Sequence, residues 1–187
     1  QETNRTYDLI VLDAYKKDKV PFQLTTVEFM RLAESHLDED GVLFANLISA
    51  PSGPASKFYR AEYKTMARVF PQVYTFPTAS GSVVQNVEVV ATKRDERLTP
   101  AELQRRNAAR DVGIDLADEI EMYRPPPRTD DVPVLRDDRA PVDALLDPMV
   151  GQRYVIQRTD VNESETTARA VRPVGSSTLA APVRRRP

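Results

Sequence analysis

The stretch Tyr7-Asp8-Leu9-Ile10-Val11-Leu12-Asp13-Ala14-Tyr15 decides the fold class. Its centre is apolar without a break, the pattern of a strand covered on both faces in a parallel sheet. A sheet wetted on one side would alternate instead. Parallel sheets bind their ligands beyond the carboxyl ends of the strands. Asp13 closes the run at that end, so its carboxylate stands where chemistry is done. A strand of this kind rarely opens an α/β domain, and residue 1 is Gln rather than Met. The chain is therefore expected to be the back half of a longer protein.

Working outward, residues 16–21 read as a loop that ends at Pro21. Thr25-Thr26-Val27-Glu28 offers a capping box, with Thr25 as the N-cap and Glu28 three residues on. The helix it opens is expected to bury Phe29, Leu32, Ala33 and Leu37. Asp38 to Gly41 reads as a turn and Val42 to Ile48 as a second buried strand. After a Ser/Pro/Gly loop, a second helix carries Tyr59, Tyr63, Met66, Ala67 and Phe70 on one face. Strands near 72–77 and 86–92 form a hairpin-like pair, which predicts an antiparallel edge. Thr99-Pro100-Ala101-Glu102 starts a further helix with Pro at its first position. A shorter helical stretch near 115–123 stops before Pro125-Pro126-Pro127. The order strand–helix–strand–helix–strand implies a right-handed, doubly wound α/β sheet.

Composition narrows the function classes. A net charge of −2 over 187 residues gives no global pull toward nucleic acid or acidic lipid. Cysteine is absent, which excludes disulfides and thiolate metal sites. His36 stands alone near a helix end, so a histidine metal site or a triad is not expected. Asp137, Asp138 and Asp143 match no calcium-loop spacing and read as caps or ion-pair partners of Arg136 and Arg139. No apolar run reaches the roughly 20 residues that span a bilayer, and the expected location is cytoplasmic. The glycines at 41, 53, 81, 113, 151 and 175 never form G-x-G, so a glycine loop that cradles a nucleotide is missing from this chain.

These elements, in this order, resemble the C-terminal half of a spermidine synthase-like aminopropyltransferase, a branch of the S-adenosylmethionine-dependent methyltransferase fold. The resemblance runs from about Tyr7 to Lys93. The family's strand ending in aspartate, its D-x-x-D-P-x-G-P loop and its L-F-x-x-x-F-Y helix have counterparts in Asp13, the loop to Pro21, and Leu24 to Phe29. Its next strand appears as Leu37 to Asn46, and its P-T-Y-P-S-G loop is echoed by Pro77-Thr78-Ala79-Ser80-Gly81. Asp137 to Tyr154 fits the tail of such proteins. The second acid of D-x-x-D falls on Lys16, a reversal of charge, and Asn46 stands where the family places a Gln.

The resemblance implies a Rossmann-like methyltransferase sheet in residues 1–98, a helical extension packed on it in 99–158, and a disordered tail in 159–187, which lacks aromatics. It also implies that Asp13 is the proton acceptor for an amine attacking a carbon on a sulfonium. The amine has an ordinary pKa of about 10 and is mostly protonated at neutral pH, so a carboxylate is needed to hold it and take its proton. Tyr15, Asp18, Asn46, Ser80 and Gly81 are the expected substrate contacts, and Asp13, Ala14 and Pro21 border the donor. The donor is S-adenosylmethionine or its decarboxylated form, most of whose site would lie upstream. The acceptor is a small amine such as putrescine, with no metal. Neither nucleic acid nor membrane is an expected partner.

Two other readings stay open: a methyltransferase of the same fold acting on another acceptor, and a non-catalytic domain that binds a nucleoside or a partner. Half of a doubly wound sheet leaves a strand edge unpaired, which predicts poor solubility or a homodimer.

Overall fold

The computed structural model describes residues 5–14, 20–110 and 113–155. They fall within one compact unit, Gln1–Gln157; the second unit, Arg158–Pro187, lies outside the described residues, as does the tail expected in 159–187. Among the described residues, five strands form one sheet: β1 Tyr7–Leu12, β2 Leu37–Ser49, β3 Gln72–Pro77, β4 Val84–Thr92 and β5 Tyr154–Val155. Five α-helices accompany them among the described residues: α1 Val27–Ser35, α2 Lys57–Met66, α3 Pro100–Ala108, α4 Ala117–Glu121 and α5 Val142–Leu146.

The strand order is β1-β2-β4-β3. β1 runs parallel to β2, whereas β4 is antiparallel to both of its main neighbours. The hairpin-like pair is therefore β3 and β4, with β4 inside the sheet and β3 at its edge. β5 adds a short parallel piece beside Val84 and Gln85.

Alternation along the strands creates two faces. Leu43, Ala45, Leu47, Val87, Val89 and Ala91 point to one of them and are all fully buried. Helix α2 packs there, and its Tyr59 hydroxyl donates to Thr75 Oγ1 at 3.3 Å. Burial pushes that phenol up to about 12. The segment 128–135 closes over α2. Lys64 Nζ donates to the carbonyls of Thr129 and Val132 at 2.9 and 2.7 Å, and Leu135 N donates to Thr65 Oγ1 at 2.9 Å. Arg60 grips Asp131 with both guanidinium nitrogens, one contact being 2.9 Å. Lying between the sheet and this segment, α2 is buried nearly all round.

The second face carries Tyr74, Phe76, Glu88, Val90, Phe44 and Asn46 by the same alternation. The residues around α3 and α4 cover its β3 side. Arg97 sits 4.8 Å from the centroid of the Tyr74 ring, Leu98 N donates to Tyr74 Oη at 2.8 Å, and Phe76 meets Tyr123 at 5.9 Å. Helices thus lie on both faces of a mixed α/β sheet.

Four local expectations need correction. The N-cap of α1 is Thr26, whose Oγ1 accepts from Phe29 N at 3.2 Å; Thr25 instead donates to Phe22 O and closes the preceding turn. The cap shifts by one because residues 22–24 form a 3-10 turn, and the helix starts only after Thr25 has finished it. The buried stripe of α1 is consequently Val27, Met30 and Ala33, while Leu32 is 56% exposed and Leu37 already belongs to β2. On α2, Ala67 is the exposed C-cap rather than a core residue. Asp38 to Gly41 is not a turn between elements but an excursion within β2. Tyr7 faces Leu37 and Leu9 faces Val42, so the intervening residues bulge out of the pairing with β1. Glycine suits position 41, since a Cβ would stand a tight 3.0 Å from Asp38 backbone atoms.

Strand β1 has a neighbour on one side only, among the described residues. Tyr7, Leu9 and Val11 are 42%, 55% and 54% exposed. Beside them, Ile10, Phe29, Leu32 and His36 help line an open apolar groove of about 400 Å³. The outward phase of Leu32 has its physical reason here: α1 has apolar side chains on the flank where the sheet stops.

Candidate functional site

The carboxyl ends of β1 and β2 converge because these two strands are parallel and in register. Leu12 faces Ala45, so the next pair in that register is Asp13 and Asn46. Asn46 Nδ2 donates to Asp13 Oδ1 at 3.1 Å. Asn46 in turn faces Glu88 on β4, and Glu88 faces Phe76 on β3. Asp13, Asn46, Glu88 and Phe76 therefore form one row across the sheet, on one face, since directly opposed residues share a face.

The electrostatics of the row are one-sided. The Glu88 carboxyl is pushed up by burial and then by the charge of Glu119 on α4. Asn46 Oδ1 is buried and has no hydrogen-bond partner among the described residues. Above the row, Tyr154 on β5 donates a short hydrogen bond to Asn86 Oδ1. Burial, and secondarily the charge of Asp13, hold the Tyr154 phenol above its ordinary value. The group is a set of acceptors and carboxylates, and what it can do chemically is bind a cationic donor of hydrogen bonds.

The remaining expected residues fall as follows. Asp13 and Ala14 are both exposed at the strand end. Pro21, also exposed, heads the 3-10 turn, where its carbonyl accepts from Leu24 N at 2.9 Å. Tyr15, Lys16 and Asp18 lie outside the described residues. Ser80 and Gly81 sit in the exposed turn between β3 and β4, and Gly81 needs its freedom at φ +82. Because Gln85 faces Ser49 near the end of β2, this turn rises from the same end of the sheet as Asp13. Gln85 braces it, accepting from Ala79 N at 2.5 Å and donating to Gly81 O at 3.4 Å. No direct contact joins Ser80 or Gly81 to Asp13 among the described residues.

Sequence reasoning missed Glu88, Asn86 and Tyr154. The only early signal was a pair of polar residues, Asn86 and Glu88, alternating with valines on a strand whose other face is apolar. A separate cavity of about 580 Å³ opens beside the β2–α2 loop, where Ser52, Gly53, Lys57, Arg60, Arg128 and Asp131 line it. Its basic side chains suit an anion rather than an amine, and Arg60 is already committed to Asp131. No helix among the described residues is long and apolar enough to cross a membrane.

No protein-family model matches the chain. It is 34% identical over 87 residues to a probable polyamine aminopropyl transferase of Bifidobacterium longum, covering 46% of this chain and 19% of that protein. It is 39% identical over 80 residues to a polyamine aminopropyltransferase of Vibrio vulnificus, covering 42% of this chain and 25% of that protein. The chain thus matches a fifth to a quarter of the length of these curated relatives.

Among solved structures it is similar to a spermidine synthase from Thermotoga maritima, at 19% identity and a TM-score of 0.44 over 66% of this chain and 42% of that one. It is also similar to a probable spermidine synthase from Corynebacterium glutamicum, at 17% identity and a TM-score of 0.45 over 96% of this chain and 52% of that one. The resemblance to polyamine aminopropyltransferases is carried by the sequence relatives.

Proposed function

We propose that this chain supplies the amine-binding side of an aminopropyltransferase, with Asp13 as proton acceptor. The donor would be decarboxylated S-adenosylmethionine and the acceptor a linear polyamine such as putrescine. The observation that carries the reading is the Asp13–Asn46 hydrogen bond at the carboxyl end of two parallel strands. That end is where a doubly wound sheet receives ligands. The relatives named above are a probable polyamine aminopropyl transferase and a polyamine aminopropyltransferase.

In this reaction the donor supplies an aminopropyl group attached to a sulfonium. The acceptor nitrogen forms a bond to that carbon, the carbon–sulfur bond breaks, and sulfur keeps the electron pair. Asp13 accepts the proton that the nitrogen loses, and Asn46 holds the carboxylate in one orientation through its amide N–H. Holding amine and carbon in line provides the rest of the acceleration. Ala14 and Pro21 would border the donor, and Ser80 and Gly81 would form the far wall. We place the enzyme in the cytoplasm, with residues 1–98 as transferase scaffold and 99–158 as its extension.

The test is an Asp13→Asn variant of the intact protein, assayed for aminopropyl transfer to putrescine. A general base contributes about 10²–10⁴-fold, so kcat should fall by that factor. Unchanged turnover would remove Asp13 as the base.

A further inference from the structure

Resting on that reading, we propose that Glu88 is the second carboxylate of the acceptor site. It would hold the distal ammonium of a linear diamine whose reacting amine sits at Asp13. Lys16 stands where the second acid of the family's loop would be, and a diamine still needs a second anionic contact.

Glu88 meets that need by register rather than by sequence spacing. It occupies the same cross-strand row as Asp13, two strands away, with Asn46 between them. Neighbouring strands lie about 4.8 Å apart, so the two backbone positions are separated by about 10 Å. A short extended diamine bridges that span with a hydrogen bond at each end.

Two acceptors in this row lack a matching donor, and a third has capacity to spare. The Glu88 carboxylate makes no ion pair or hydrogen bond among the described residues, and the charge beside it, on Glu119, is of the same sign. Asn46 spends its amide N–H on Asp13, which leaves its buried Oδ1 without a partner among the described residues. Asp13 accepts from that amide and retains further acceptor capacity. A buried acceptor without a donor is costly, and so is a half-buried carboxylate without a cation. An ammonium chain laid along the row supplies N–H donors to all three and positive charge to both carboxylates. The aromatic pair Phe76 and Tyr123 closes the far end, giving methylene groups an apolar wall. A monoamine would leave Glu88 uncompensated, so the row selects for a second charge.

The experiment is calorimetric titration of putrescine and of 1-aminobutane into the intact protein and into Glu88→Gln and Glu88→Ala variants. Transfer kinetics are measured alongside. A charge-assisted hydrogen bond is worth about 1.5–3 kcal/mol, so each variant should bind putrescine about 10–100-fold more weakly. Affinity for 1-aminobutane should not change, and the effect on transfer should fall on KM rather than kcat. Melting temperature provides the control for folding. Gln keeps the shape and removes a charge that burial disfavours, so that variant should melt no lower than the parent.

Equal putrescine affinity in parent and Glu88→Gln overturns the role of Glu88. If aminopropyl transfer persists in that case, the reading of Asp13 stands. A parent protein that binds neither amine and transfers nothing overturns both.

Discussion

Strands β1 and β4 are similar in composition and opposite in fate. Both are rich in branched apolar residues, yet Val87 and Val89 of β4 are fully buried while Leu9 and Val11 of β1 are more than half exposed. The difference lies in neighbours. β4 is flanked by β2 and β3 and covered by α2 on one face, and the α4 region covers part of the other. β1 has β2 alone among the described residues, and beyond it only the outward side chains of α1. Apolar content makes a strand, whereas burial needs partners on each side. An apolar strand with one partner is one half of an interface.

A matched pair of substitutions probes that contrast most directly. Val89→Thr places a hydroxyl where nothing is exposed to satisfy it and should cost about 1–3 kcal/mol. Val11→Thr, at a half-exposed site, should stay within about 0.5 kcal/mol. Urea denaturation of both variants measures the gap, and equal shifts in midpoint would mean that β1 is as covered as β4.

The edge of β1 that has no partner among the described residues comes next. We expect this chain, made alone, to self-associate through it, because unpaired strand edges template further pairing. Leu9→Lys should weaken that association in sedimentation velocity with little change in folding stability. A parent chain that sediments as a single monomer at every concentration would break the comparison, since the edge would then need no partner.

The smallest effect concerns how the buried side is fastened. Asp131 binds Arg60 through both carboxylate oxygens, and this lowers its carboxyl from an ordinary 3.8 to about 2. A group depressed on folding adds stability that is present above its unfolded value and is lost as pH falls through the folded one. The contribution of Asp131 is thus in place above about 3.8 and drains away toward pH 2. Asp131→Asn should lower stability slightly everywhere above about pH 3.8, flatten the acid unfolding curve between 3.8 and 2, and converge with the parent at about pH 2. Both partners border solvent, so screening keeps the effect small.

Legibility followed the range of the interactions. Contacts over three or four residues read well: Thr99 caps α3 by accepting from Glu102 N at 3.2 Å, with Pro100 behind it, as its spacing implied. His36 does end α1, and its Nδ1 donates to Arg5 O at 3.0 Å. The Asp137 region departs from its expected local pairing: Arg136 and the Asp137 backbone amide both reach Glu28 on α1, across more than a hundred residues. Thr25 and Thr26 show the limit of such reasoning. Two identical residues compete for one cap, and the choice depends on a turn that local pattern does not reveal.

By itself, then, the sequence determined that β1 is a strand built for cover on both faces, that Asp13 follows its last residue, and that Asn46 lies within a second buried strand. Apolar runs and strand-end carboxylates are local properties, and local chemistry is written residue by residue. Only the tertiary structure decided that Asn46 turns its amide to Asp13, that Glu88 joins them from 42 residues further on than Asn46, and that Tyr154 reaches Asn86 from β5. Those meetings depend on strand order and register. Register is set by which faces bury together across the whole sheet, and no stretch of a single strand contains that information.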